Sequence, residues 1–428
     1  MAEKQQVFQW LEDHAGEMQQ FLSSLIQIRS FSGEEFDVQQ KVIAEMKAVG
    51  LEVAARAYDE KGIRPNVLGT LKGTGGGEGL LMVAHSDTVP VHNPELWDHD
   101  PLSGYFDGTW IYGRGAGDDK WGITASFFAI RALQECGVKL SGDVHLLSSV
   151  GEENGVNDYH LGAGPMVRDM EEKPSFGIIC EASIMEICPE TPRSMAIEIV
   201  VPGKADHPSS RRKVVFPQPH NIRPGSQLGV DALQKAMPVI DAMYRLERDL
   251  SIEHNRGGLL GSGGMDRFDR QGVGAFTMTP TQIVGGNGGA IIGDVTLKYW
   301  LDFPSTYTHE EVFEIIQKTV NGIADGDLWL REHRPTVRQT RRYDGFSIDP
   351  NHPGIGTMCK AFEDAMERPA VVSCWLAQCD GSVVAPYVPC VVFGPQPKGS
   401  HAPNDRITLQ EMVESAKVLA SMAMEHCK

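Results

Sequence analysis

The stretch that decides the fold is "LLMVAHSDTVPV", residues 80–91. Its first five residues are apolar, and an imidazole, His85, and a carboxylate, Asp87, follow two positions apart. Because side chains alternate along a strand, His85 and Asp87 are expected to project from one side at its carboxyl end. Open α/β sheets place their functional sites at that edge. The run therefore predicts both a buried strand and the position of a site.

Four other segments place an acid or an imidazole at a comparable point. "GRGAGDDKWG" (113–122) brings Asp118 and Asp119 to the start of a helix, and the ends of three further apolar runs carry such groups. Two imidazoles and three carboxylates suit a pair of Zn²⁺ ions, whose charge the three acids and one hydroxide would neutralise. Taken singly, each group also fits a structural role, and the Gly-rich turn fits an anion cradle. The groups in question are Glu152 and Glu153 after "LLSSV", Glu181 after "IIC", and His401 after "PCVVFGP".

Composition narrows the class of protein. A chain of 428 residues is too long for one ordinary core, and its net charge of −18 disfavours nucleic acid and anionic membrane as partners. The first 30 residues have the spacing of an amphipathic helix, without the basic start and apolar block of a secretory leader. The eight cysteines form no CxxC pair. We expect a cytoplasmic protein with reduced thiols and a small-molecule substrate.

The order of predicted elements indicates two domains. Strand-like and helix-like runs alternate at both ends of the chain, which favours an α/β domain with a mixed sheet. The middle reads strand, helix, strand, strand, helix, strand, which favours a smaller α+β domain, and Thr308 and Glu311 have the spacing of a capping box. We therefore predict a catalytic domain formed by residues 1–193 and 346–428, with an insert formed by residues 194–345.

The motifs of this chain occur in the same order as those of a family that the chain resembles. "HSDTVPV", "ELWDHDPLSG", "IYGRGAGDDKWG", "GEENG", "EAS", "GKADHPSS" and "GPQPKGSHAPND" follow one another along nearly the whole chain. In this the chain resembles the dinuclear zinc exopeptidases and deacylases, which include aminoacylase, carboxypeptidase G, acetylornithine deacetylase and succinyl-diaminopimelate desuccinylase. The resemblance implies a zinc-peptidase catalytic domain, an inserted lid or dimerisation domain, and a homodimer formed through that insert.

The resemblance also implies a metal-ligand set. His85, Glu181 and a bridging Asp118 would bind one ion, and Asp118, Glu153 and His401 would bind the other. Zinc is the expected metal, with manganese and cobalt as alternatives.

Further roles follow from the same resemblance. Asp87 would hydrogen-bond His85 and fix its tautomer. Glu152 would be the general base that takes a proton from the attacking water. The peptide bond between Asp118 and Asp119 would be cis. His207 in the insert would stabilise the oxyanion, in its own subunit or in the partner's.

One position departs from the family pattern. An arginine that binds a substrate carboxylate is expected in "LKYWLDFPS" (297–305), where this chain has Asp302 or Phe303. An acid there would repel a carboxylate, unless Asp302 faces solvent or pairs with Lys298. The basic loop from Arg211 to Arg223 is an alternative anchor. Two further residues match pocket positions of the family, Asn287 and Trp375.

These observations predict a metal-dependent hydrolase that cleaves an amide bond of a peptide or an N-acyl amino acid. One alternative is an aminohydrolase that removes an amino group from a non-peptide, aromatic substrate. The other is a non-catalytic binding protein on the same scaffold, because fold alone does not fix function.

Overall fold

The chain divides into two compact units. A computed structural model describes residues 2–209, 229–253, 276–286 and 288–428. The larger unit joins Met1–Thr191 to Gly345–Lys428, and the smaller is Pro192–Asp344. The insert thus begins at Pro192 rather than at residue 194, and it ends at Asp344 rather than at residue 345.

A six-stranded mixed sheet forms the centre of the larger unit. Its strand order is β1-β2-β6-β3-β7-β12. The neighbours β6, β3, β7 and β12 run parallel, whereas β1 and β2 are antiparallel additions at one side. The predicted α/β class with a mixed sheet is confirmed. The strands are β1 Glu52–Ala57, β2 Pro65–Leu71, β3 Leu80–His85, β6 Val144–Ser149, β7 Phe176–Cys180 and β12 Cys390–Phe393.

Strand β3 is the first half of the run LLMVAHSDTVPV, and all six of its residues are buried. Both faces of a parallel sheet are covered in such folds, which explains why the run is apolar rather than alternating. Each fully buried Leu or Val contributes about 1.5–3 kcal/mol relative to an exposed one. The helices of this unit are α1 Ala2–Asp13, α2 Ala15–Ile26, α3 Phe36–Ala48, α4 Lys120–Glu135, α5 Ala163–Arg168, α8 Pro353–Met366, α9 Gly381–Val384 and α10 Leu409–His426.

A small second sheet in the larger unit has the order β13-β5-β4. Its strand β5 precedes the loop of residues 113–118, and its strand β13 follows the loop of residues 394–405. The pairing of β13 with β5 therefore joins one end of each loop. Its strands are β4 Tyr105–Phe106, β5 Trp110–Tyr112 and β13 Arg406–Thr408, and short 3₁₀ turns lie at Pro94–Leu96 and Gly155–Asn157.

In its described residues, the smaller unit is an antiparallel four-stranded sheet with two helices. Its strand order is β11-β8-β10-β9, and alternate residues of β8 and β10 are buried in the core of this unit. The predicted capping box is present, since Thr308 and Glu311 exchange side-chain and backbone hydrogen bonds. The elements are β8 Arg193–Pro202, α6 Ala232–Arg248, a π turn Asp249–Glu253, β9 Thr277–Gly285, β10 Asp294–Phe303, α7 His309–Gly326 and β11 Thr336–Tyr343.

Within the described residues, no helix is long and apolar enough to cross a bilayer.

An ion triad lies in the larger unit, with Glu35 and Arg64 buried and Asp158 partly buried. The Arg64 guanidinium donates two hydrogen bonds to Glu35, at 2.9 and 2.6 Å, and one to Asp158, at 2.6 Å. The Glu35 side chain is fully buried. Arg64 therefore ties the residue before α3 to the segment that follows β6.

We expect Arg64→Ala to destabilise the protein by about 3–5 kcal/mol, because it leaves the charge of Glu35 buried without a partner. The measurement is the midpoint of urea-induced unfolding. Arg29→Ala is the matched control, since Arg29 pairs with Glu34 on the surface. Its effect should stay within about 1 kcal/mol. Equal shifts for the two variants would contradict a stabilising role for the triad.

Candidate metal centre

The candidate site lies at the edge where the parallel strands end. Strand β3 ends at His85, Glu152 and Glu153 follow the end of β6, and Glu181 follows the end of β7. Because these three strands are parallel neighbours, their last residues meet at one edge. Asp118 comes just before α4, and His401 lies between β12 and β13.

Asp118 lies between the two imidazoles. Its Oδ1 is 3.0 Å from Nε2 of His85, and its Oδ2 is 3.1 Å from Nε2 of His401. Nε2 of His401 is also 2.8 Å from Oε2 of Glu153. One carboxylate therefore offers one oxygen to each half of the site, which is the arrangement that a ligand shared by two ions requires.

The donor set fits divalent metal. Ligand atoms of His85, Asp118 and Glu153 lie within 4.8 Å of one another. Imidazole nitrogen and carboxylate oxygen are the ligands that zinc takes in catalytic sites, and manganese accepts the oxygen donors as well. The structure therefore brings together the residues expected to bind metal.

Glu152 and Glu181 stand at equal distances from one imidazole. An oxygen of each lies 3.9 Å from Nε2 of His85. Burial raises the pKa of both carboxyls well above the ordinary value, and the charges of neighbouring acids raise them further. A nearby dication would favour the ionised forms. The predicted difference in role, base against ligand, therefore does not follow from these distances.

The imidazoles compensate part of this charge. Burial raises the pKa of Asp118, but hydrogen bonds with His401 and His85 outweigh it and hold that pKa below the usual range. The same hydrogen bonds from Asp118 and Glu153 raise the pKa of His401 to about 10. These hydrogen bonds between imidazole and carboxylate offset part of the negative charge that bound metal would neutralise.

Asp87 contacts His85 through its backbone carbonyl and not through its carboxylate. Nδ1 of His85 lies 2.9 Å from the backbone carbonyl of Asp87, whereas the Asp87 carboxylate is 3.7 Å away. That carboxylate accepts hydrogen bonds from the backbone N–H groups of Glu152 and Glu153, at 3.2 and 3.1 Å, and from the Ser32 hydroxyl, at 2.7 Å. With Nδ1–H donating to a carbonyl, Nε2 of His85 is left to bind metal. Asp87 thus orients the glutamates as well as the histidine.

A cis peptide bond and a second buried aspartate follow Asp118 directly. The peptide bond between Asp118 and Asp119 is cis, as the resemblance implies. Asp119 is fully buried, and its carboxylate accepts a 3.3 Å hydrogen bond from the backbone N–H of His85. Ser32 was not predicted, because nothing in its local sequence connects it with a residue far along the chain.

The remaining predicted residues lie elsewhere. His207 belongs to the smaller unit, where it is exposed and its Nδ1 is 2.9 Å from the Ser209 hydroxyl. Trp375 belongs to the larger unit and packs, half-buried, against a hydrophobic cluster that includes Cys379. Asn287 and the basic loop from Arg211 to Arg223 lie outside the described residues.

Asp302 is half-buried on the sheet of the smaller unit. Its carboxylate accepts hydrogen bonds from the Ser194 hydroxyl, the Thr277 hydroxyl and the Trp300 indole. Lys298 pairs with Glu198 instead, at 3.5 Å, so the alternative pairing of Asp302 with Lys298 is wrong.

Comparison with known proteins identifies the family. Residues 81–425 match the peptidase family M20/M25/M40. The N-formyl-4-amino-5-aminomethyl-2-methylpyrimidine deformylase of Bacillus subtilis is 26% identical over 386 residues, which cover 85% of this chain and 83% of that protein. The Halalkalibacterium halodurans protein of the same name is 25% identical over 414 residues, covering 91% of this chain and 89% of that one.

Solved structures share the fold. Human carnosine dipeptidase 1 superposes with a TM-score of 0.70 at 16% identity, over 99% of this chain and 98% of that one. The match to the family model confirms the resemblance drawn from the sequence motifs. The chain belongs to the peptidase family M20/M25/M40, and it is, as that family is, a metal-dependent hydrolase of amide bonds in small substrates.

Proposed function

We propose that this enzyme hydrolyses a small amide with two divalent ions held by His85, Asp118, Glu153, Glu181 and His401. The observation that carries the proposal is the position of Asp118, with one oxygen facing each imidazole. Zinc is the proposed metal, with manganese and cobalt as alternatives. When bound, such ions lower the pKa of a water and polarise the carbonyl that it attacks.

In this proposal Glu152 accepts the proton of the water and returns it to the leaving amine. Its carboxylate is buried, and one oxygen lies 3.9 Å from Nε2 of His85. Its neighbour in sequence, Glu153, is a proposed ligand, whereas Glu152 is not. A carboxylate beside a metal-bound water can take its proton and later return it. Asp87 keeps this glutamate in place through the backbone N–H groups of Glu152 and Glu153.

We propose that the amine half of the substrate has no carboxylate. Asp302 in place of the expected arginine supports this, because an acid repels an anion and gives it no bidentate partner. The two deformylases described above, which are named for an aminomethylpyrimidine formamide, support it as well. The aminohydrolase reaction is the alternative, since the same residues would serve it.

The insert is proposed to form a homodimer. Helix α6 presents exposed apolar side chains at helical spacing, among them Leu233, Met237 and Tyr244, and Ile283 of β9 is exposed as well. A stripe of this kind on a helix is typical of a surface that another chain covers. In such a dimer His207 would stabilise the oxyanion, in its own or in the partner's site.

Glu152→Gln should lower turnover by about 10²–10⁴-fold, because it keeps the size of the side chain and removes the base. Metal analysis should still find two divalent ions per chain, as in the wild type. The neighbouring substitution Glu153→Gln is the matched control, and it should lose metal as well as activity. Loss of metal from Glu152→Gln would instead make Glu152 a ligand. Finding no metal in the wild type would refute the proposed site.

The substrate class can be tested by its products. With N-formyl-4-amino-5-aminomethyl-2-methylpyrimidine we expect release of formate, measured enzymatically, and no release of ammonia. An N-formyl amino acid of similar size should react more slowly, and Asp302→Arg should narrow the difference in kcat/KM. Ammonia as the product would favour the aminohydrolase. An unchanged preference in Asp302→Arg would remove Asp302 from the specificity residues.

Oligomeric state can be tested by sedimentation velocity. The double substitution Met237→Glu and Tyr244→Glu should convert a dimer into a monomer, because it places charge in the apolar contact. Leu328→Glu is the control, since Leu328 is more exposed than either residue but lies outside the stripe. A monomeric wild type would contradict the proposed dimer.

A further inference from the structure

Two loops that are distant in sequence carry opposite sides of the proposed metal centre. Residues 113–118 form a Gly-rich loop that ends at Asp118, and residues 394–405 form the loop that contains His401. Both depart from regular structure, and His401 itself has a left-handed backbone, with φ at 60°. Such loops need contacts of their own to keep their side chains in register.

The loops meet at one fully buried carboxylate, that of Asp405. Its Oδ1 accepts a 3.0 Å hydrogen bond from the backbone N–H of Gly117, and its Oδ2 accepts one of 2.8 Å from that of Gly115. The backbone carbonyl of Asp405 accepts a third from the N–H of Gly113, at 2.8 Å. Asp405 therefore accepts hydrogen bonds from the backbone N–H groups of every second residue in the Asp118 loop, from Gly113 to Gly117.

Arg114 strengthens the contact from the other side. Its Nη1 lies 3.1 Å from Oδ2 of Asp405, and its Nη2 donates to the carbonyl of Ala402, the residue after His401, at 3.4 Å. The side chain is buried, with its guanidinium over the ring of Trp97. The ion pair is therefore shielded from solvent and joins the same two loops.

The loops also approach each other closely. A Cβ atom at Gly117 would come within 2.4 Å of Cβ of Pro397 and within 3.0 Å of Oδ1 of Asp405. Only glycine allows the backbone before Asp118 to pack against the His401 loop at this distance.

We propose that Asp405 is a positioning residue that sets the separation of Asp118 from His401 and thereby the affinity of the ion that both would bind. This inference rests on the proposed metal centre. Oδ2 of Asp118 is 3.1 Å from Nε2 of His401, and both atoms must approach one ion to within about 0.2 Å of ideal ligand distances. The carboxylate of Asp405 touches neither ligand, so its effect passes through the loop backbones. The other ion, held by His85 and Glu181, depends on β3 and β7 and should be affected less.

Asp405→Asn tests the inference with little change of shape. The amide can keep an acceptor for the N–H of Gly117, but its NH₂ group then faces the N–H of Gly115 and the guanidinium of Arg114, which are themselves donors. We expect one of the two metal affinities to fall about 10–100-fold, and the other to fall less. The readouts are a Zn²⁺ titration in competition with a chromophoric chelator and the visible absorption of the Co²⁺-loaded protein.

Asp327→Asn is the matched control. Asp327 also accepts hydrogen bonds from two backbone N–H groups, those of Trp329 and Leu330, and from a cation, Lys235. It lies in the smaller unit, which carries none of the proposed metal ligands. The substitution removes the same charge from the protein, so it should leave both affinities at the wild-type values.

Arg114→Lys provides a second variant in case Asp405→Asn does not fold. A lysine has one terminal nitrogen and cannot span Asp405 and Ala402 as the guanidinium does. It should weaken the same ion in the same direction. If the wild type binds two ions and the folded variants bind both with wild-type affinity, the inference is overturned and the proposed function stands. A wild type that binds no metal overturns both.

Discussion

Repulsion among buried carboxylates is the constraint on which the rest of the structure depends. Asp118, Glu152, Glu153 and Glu181 share one edge of the sheet, and burial raises the pKa of each glutamate. Two imidazoles offset only part of that charge. A site of this kind is stable when cations occupy it, and it is costly when they do not. The scaffold therefore has to hold acids together against their own repulsion.

The scaffold does this mainly with backbone donors. Asp87 accepts from the N–H groups of Glu152 and Glu153, and Asp405 accepts from those of Gly115 and Gly117. In the described part of the chain, the four acids of the site pair with histidines and with no lysine or arginine. A guanidinium in direct contact would compete with metal for the carboxylate oxygens. Arg64 pairs with Glu35 and Asp158, and Arg114 pairs with Asp405. None of these acids is a proposed ligand, so the ligand oxygens stay available for cations.

Local patterns predict much of this architecture and stop where the chain becomes irregular. The apolar runs predicted β3, β6, β7 and β12, and the Thr308 capping box marked the start of α7 correctly. Alternation placed His85 and Asp87 on one side, but β3 ends at His85, so the rule no longer applies at Asp87. Its carboxylate turns to the loop after β6 instead. The partners of Arg64, Ser32 and Asp405 could not be predicted either, because each contact joins segments far apart in sequence. Local periodicity carries no information on such contacts.

Asp302 shows how strand register decides what a side chain can do. Alternation correctly places Lys298, Trp300 and Asp302 on one face of β10, but it does not say which residues of β8 and β9 stand opposite. The register sets Lys298 opposite Glu198 and sets Asp302 opposite both Ser194 and Thr277. Because directly opposed side chains interact most strongly, the lysine pairs with the glutamate and the aspartate with the two hydroxyls. Asp302 is thus held by two hydroxyls and an indole rather than by Lys298. Strand register, which local sequence does not encode, therefore decides which partners a half-buried acid can have.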